Sequence, residues 1–296
     1  MRWLLAATML ALSAATVATG ASAAITPPPT LTILVIGGQS NALGFQSFVI
    51  DPRTHKDVFT ESGRSPADQH VLFTFQESGV AGGTLPPGPL DSPQRLAGAP
   101  SPVFGPEIGL ARYLYGNGHK HLLIVKVAFS GSSLAVDWAP GSKNLSLLVA
   151  RVQAAVEWAR NTGWSPTIGG FYWMQGERDA TVGAYAASYR ANLLQFISTI
   201  RRELPLRSTR PVVIGQIDLT DFIHYESTHH LCSRKVCRSE QKWNAEVMKA
   251  QASVTGQYVL LAKTSKLPRY DGFLHLTDAA ELILGKEFGS LSRTRI

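Results

Sequence analysis

Five apolar runs of strand length alternate with five stretches of helical spacing along this chain, and nothing else in the sequence restricts the fold so much. The runs cover residues 31–36, 121–128, 168–174, 211–217 and 257–262; the helical stretches cover 106–115, 145–160, 184–204, 240–254 and 277–288. Within 145–160, Leu148, Val152, Ala155 and Val156 fall on one side, a stripe that only a helix can bury. Residues 31–36 are apolar without alternation, the pattern of a strand covered on both faces. Strand and helix in strict alternation close into a parallel sheet with helices on either side. The expected fold class is therefore α/β, a three-layer α/β/α arrangement with a central five-stranded parallel sheet.

The ends of the chain and its charge narrow the setting. Arg2 precedes a stretch from Leu4 to Gly20 that carries no charge, and Ala21, Ser22 and Ala23 supply small residues at a cleavage position. This is the form of a secretory signal peptide, expected over 1–23, which leaves one domain over 24–296. The mature protein is expected to be secreted or periplasmic, with no stable membrane insertion after cleavage. An apolar fraction of 45% is ample for a core. The net charge of +7 is spread along the chain rather than gathered into a stripe, which argues against nucleic acid as a partner. Cys232 and Cys237 are the two cysteines. In an exported chain they read as a disulfide closing a small loop; zinc binding with His224, His229 and His230 is the competing reading.

Ligands of parallel α/β sheets bind at the carboxyl ends of the strands, and those ends are unusual here. The first strand runs into Gly37, Gly38, Gln39, Ser40 and Asn41, and the second into Ser130, Gly131, Ser132 and Ser133. The third runs into Gln175, Gly176, Glu177, Arg178 and Asp179, and the last is followed by Asp271 and His275. Residues 46–103 are rich in Gly, Pro, Ser and Asp, with a short candidate strand at 71–75, and read as a long excursion of the sort that covers a cleft.

These residue types suit acyl transfer. A serine hydroxyl attacks only when a base takes its proton, and histidine does so near neutral pH. A carboxylate behind the imidazole sets its tautomer. Backbone N–H groups at glycine turns and a side-chain amide can hold the oxyanion that forms. Ser40 as nucleophile, His275 as base, Asp271 as its partner, and Ser40, Gly131 and Gln175 as oxyanion donors fill every role. Glu177 and Asp179 are alternative carboxylates. No cofactor or metal is required by this chemistry.

With these residues in place the sequence resembles the SGNH-type hydrolases, in the branch of sialate O-acetylesterase-like and acetylxylan-esterase-like carbohydrate esterases. The resemblance is carried by Gly38-Gln39-Ser40-Asn41, by Phe104-Gly105-Pro106-Glu107, and by the block from Lys126 to Leu134 with Trp138. Trp173-Met174-Gln175-Gly176-Glu177-Arg178-Asp179 is its most specific part, and the stretch from Asp271 to Thr277 its last. It implies a flavodoxin-like sheet, the Ser40–His275–Asp271 triad, the Ser40, Gly131 and Gln175 oxyanion hole, and an acetylated carbohydrate as substrate, with Trp138 as a sugar contact. Asp271 and His275 stand four apart, where that branch has them two or three apart, as if Leu274 were inserted. Two other readings compete. An α/β-hydrolase elbow nearly fits Gly38-Gln39-Ser40-Asn41-Ala42, but that elbow follows several strands rather than the first. A carbohydrate-binding module without turnover would not need Ser, Gly, amide and His together.

Overall fold

The computed structural model describes residues 27–51, 55–76, 86–91, 101–270 and 273–296; the expected leader over 1–23 and the candidate Asp271 lie outside them. β1 (Thr30–Gly38) ends in the single helical turn α1 (Ser40–Leu43). The excursion that follows holds α2 (Val58–Glu61), α3 (Ala67–His70), β2 (Leu72–Gln76) and β3 (Gly88–Pro89). Alternation then resumes with α4 (Glu107–Gly116), β4 (Leu122–Ala128), α5 (Lys143–Asn161), β5 (Ser165–Met174), α6 (Gly183–Glu203) and β6 (Val212–Gln216). It closes with α7 (Thr220–Thr228), α8 (Arg234–Ser253), β7 (Val259–Lys263) and α9 (Asp278–Ser292).

The sheet has seven strands in the order β3-β2-β4-β1-β5-β6-β7, all parallel except β3, which runs antiparallel to β2 at the edge. The five strands expected from the sequence are β4-β1-β5-β6-β7, and in their own chain order they read second, first, third, fourth, fifth. That is the flavodoxin-like order. The excursion supplies the other two strands, so the count of five is corrected to seven. β1 is the switch point: the chain leaves it toward β4 on one side and returns to β5 on the other. Ligands of such sheets bind outside the carboxyl ends of the strands at this switch point, where the loops after β1, β4 and β5 lie.

Burial explains why these segments take these forms. β1 and β4 lie in the middle of the sheet, and residues 33–38 and 122–128 are buried on both faces. α4 and α9 cross closely because Gly109 and Gly285 meet at the crossing, where a Cβ on either would collide with backbone of the other helix or its lead-in. One charged pair is sealed in this layer. Lys126 Nζ donates to Glu107 Oε2 at 2.8 Å and to Leu43 O at 3.0 Å, while Glu107 Oε1 accepts from Gly105 N at 2.9 Å. Glu107 is thus a structural carboxylate that fastens α1, α4 and β4 together. No helix among the described residues is long and apolar enough to cross a membrane.

Candidate active site

The turn that carries Ser40 is built by β1. Gly38 has φ +148, and a Cβ there would strike Met174 O of β5; only glycine lets the strand end so close to its neighbour. Gln39 N then donates to Met174 O at 3.0 Å, and Gln39 O receives Ala42 N and Leu43 N at 2.9 and 3.0 Å. Ser40 opens α1, buried at 4% exposure. Neither its hydroxyl nor its N–H has a hydrogen-bond partner among the described residues. Gly131, in the loop after β4, has φ +68, is exposed, and its N–H is likewise without an acceptor among them.

The loop carrying His275 is drawn onto this turn by the residue next to the serine. Asn41 Nδ2 donates to Leu274 O at 3.3 Å, and Asn41 Oδ1 accepts from Leu276 N at 3.1 Å. One side chain therefore grips the backbone on both sides of His275. Ser47 Oγ adds a bond to Leu276 O at 3.0 Å, and Tyr270 N donates to His275 O at 2.9 Å. The Phe45 ring lies against the imidazole with centroids 4.8 Å apart. His275 Nδ1 lies 3.1 Å from Gln46 Oε1. An amide oxygen only accepts, so this geometry calls for the hydrogen on Nδ1, and Nε2 has no hydrogen-bond partner among the described residues. Burial lowers the His275 pKa to about 4, which keeps the ring neutral at physiological pH.

The alternative carboxylates Glu177 and Asp179 bond other groups in this geometry. Glu177 Oε1 accepts from Asn41 Nδ2 at 2.7 Å, so it braces the grip on the histidine loop without bonding the imidazole. Its Oε2 is buried without a hydrogen-bond partner among the described residues, and burial raises its pKa, partly offset by the Asn41 bond. Asp179 accepts from Leu134 N at 2.8 Å and Ala135 N at 3.1 Å, and so ties the loop after β4 to the loop after β5. Its pKa too is raised by burial. Neither hydrogen-bonds His275.

Two further expected site residues lie inside the packed loops. Gln175 is fully buried, and its Nε2 donates to Asp179 Oδ2 at 2.6 Å and Ser132 O at 2.9 Å, with Gln39 Oε1 at 3.3 Å. An amide has two hydrogens, and both are engaged in this geometry, so Gln175 braces the loops. Trp138 is wholly buried against Trp173 and Phe129, and its Nε1 donates to Ser132 Oγ at 2.8 Å, so it packs as a core residue. The cysteines are joined as Cys232–Cys237 with Cα atoms 5.8 Å apart. They are not free as thiolate ligands for a metal. Asn41, Phe45 and Gln46 received no role from the sequence. Asn41 stood inside a quoted motif, whereas Phe45 and Gln46 carried no signal of their own.

The family described as carbohydrate esterase, sialic acid-specific acetylesterase, matches residues 30–292. Among solved structures, a protein from Arabidopsis thaliana superposes with a TM-score of 0.61 at 21% identity, covering 90% of this chain and 98% of the other. NanS gives a TM-score of 0.58 at 14% identity, with the same two coverages. A carbohydrate acetylesterase from Xanthomonas citri gives 0.53 at 17% identity over 89% of this chain, which spans 56% of that protein. These likenesses bear on the fold. No curated protein is significantly similar in sequence.

Proposed function

The chain belongs to the carbohydrate esterases of the sialic acid-specific acetylesterase family, and from that premise we propose that it removes O-linked acetyl groups from a carbohydrate by a serine mechanism. It is a carboxylic ester hydrolase; the residues that perform the hydrolysis, and its export, are the proposal.

Ser40 Oγ attacks the acetyl carbonyl carbon while His275 Nε2 takes its proton. The N–H groups of Ser40 and Gly131 hold the oxyanion, and Gln175 keeps the second loop in place through Ser132 O. The protonated imidazole then returns the proton to the departing sugar oxygen, and water repeats the sequence on the acetyl-serine. Gln46 holds the Nδ1 hydrogen in the described geometry, and Asp271 is the carboxylate proposed to stabilise the imidazolium. The observation that carries this reading is the Asn41 grip, which brings the backbone on either side of His275 to the residue beside Ser40.

Ser40→Ala tests it. Turnover of acetylated sugars and of p-nitrophenyl acetate should fall by about 10⁴-fold or more, with melting temperature unchanged. A serine-directed phosphonate should label the native protein at Ser40; labelling at another serine, with activity retained in the variant, sinks the mechanism.

A further inference from the structure

His275 is bordered by aromatic rings that the hydrolytic steps do not use. Phe45 touches the imidazole and is 40% exposed. Phe273, two residues before His275, is 41% exposed. Its ring lies 5.7 Å from Tyr225 on α7, and Tyr225 in turn lies 4.1 Å from the exposed His229. Phe273 also has φ +58. Bulky residues avoid that left-handed region, and those held there cluster at ligand clamps. Glycine would fit the turn at no backbone cost, yet the position carries a large ring turned partly to water. Neither burial nor backbone preference accounts for it.

We propose that Phe273 and Tyr225 form a sugar-binding subsite beside the ester-cleaving centre, on which a pyranose ring of the acetylated substrate stacks. This deepens the function proposed above and rests on it. Pyranose rings present C–H faces that pack on aromatic rings while their hydroxyls stay in water, so a half-exposed platform suits them. The position near His275 gives the subsite its use: a ring seated there brings its own acetyl group, or that of the next sugar, to Ser40. The disulfide Cys232–Cys237 closes the turn between α7 and α8 and steadies the arm that carries Tyr225.

The test compares two substrates in two variants. For Phe273→Gly and Tyr225→Ala, kcat/KM on an O-acetylated oligosaccharide, divided by kcat/KM on p-nitrophenyl acetate, should fall roughly tenfold, chiefly through KM for the oligosaccharide. Phe273→Gly should melt no lower than the native protein, because glycine relieves the backbone; a ring kept for the fold would lower it. An unchanged ratio in both variants, or a lower melting temperature with the two substrates lost in parallel, overturns the subsite and leaves the esterase reading standing. A native protein that hydrolyses p-nitrophenyl acetate but no acetylated glycan overturns the functional reading and the subsite with it.

Discussion

At the scale of single residues, the site's chemistry follows from where protons and hydrogen bonds are held. A general base works only while neutral, so activity falls as pH drops through its pKa. Burial lowers the His275 pKa to about 4, below the ordinary value near 6.5, so the acid limb of kcat/KM should lie well below pH 6.5. An Asp271 carboxylate near the ring would favour the imidazolium by its charge and lift that limb; Asp271→Asn should then move it to lower pH and cut kcat on the order of 10²-fold. A limb unmoved by the substitution, with kcat retained, removes Asp271 from the mechanism. Asn41 is the second case. Asn41→Ala would leave the Leu276 N–H and the buried Glu177 carboxyl without their partner, at a cost of about 1–3 kcal/mol in stability. It should lower kcat at least tenfold with little change in KM, because a histidine displaced by about 1 Å is already a poor base. Steady-state kinetics beside thermal melts separates the two effects; a stability loss with native kcat would make the grip purely architectural.

At the scale of elements, the strands and the long helices follow the periodicity of the sequence, and the departures have physical causes. α7 was not anticipated because it buries a single side chain, Ile223, and so leaves no stripe to read. α8 begins at Arg234 rather than near 240: its first turn is polar, but the Ser233 side chain accepts from Val236 N at 3.3 Å and starts the helix there. The disulfide lies at this joint, with Cys237 on α8 and Cys232 just before it. Closing so short a loop is worth about 2 kcal/mol by restricting the unfolded chain. The double substitution Cys232→Ser, Cys237→Ser should lower stability by that order, read by denaturant melts with the native protein under reducing conditions as the matched control. The sheet itself should persist, since the joint is outside it.

At the scale of the whole molecule, the layer behind the site holds more carboxyl groups than it can satisfy. Glu281 on α9 is buried, and neither carboxyl oxygen has a hydrogen-bond partner among the described residues. Burial raises its pKa well above 4.5, and the nearby Glu107 carboxylate raises it further, against the pull of Lys126. Because the folded pKa is above the unfolded one, the unfolded state gives up this proton first. Stability should therefore decline as pH rises from about 4.5 toward the folded pKa. Glu281→Gln cannot ionise, so melting temperature plotted against pH should decline less steeply in the variant; parallel curves would show that Glu281 does not set the slope.

Much of this was written along the chain. Apolar runs fully covered by neighbours, a helical stripe such as Leu148–Val152–Ala155, and Gly38 before Ser40 are local patterns with one physical outcome, so the parallel core and the serine turn at its carboxyl edge could be read directly. Side-chain aim could not. Gln175 and Trp138 have the chemistry of an oxyanion donor and a sugar contact, but their hydrogens go to Asp179, Ser132 O and Ser132 Oγ, acceptors brought near only when three loops converge. Asn41, Gln46 and Phe45 meet His275 or its neighbours across more than 200 residues. A strand or a turn is decided by its own residues and their nearest neighbours in the chain; a hydrogen bond is decided by which partners the closed fold leaves within about 3 Å, and only the tertiary structure chooses those.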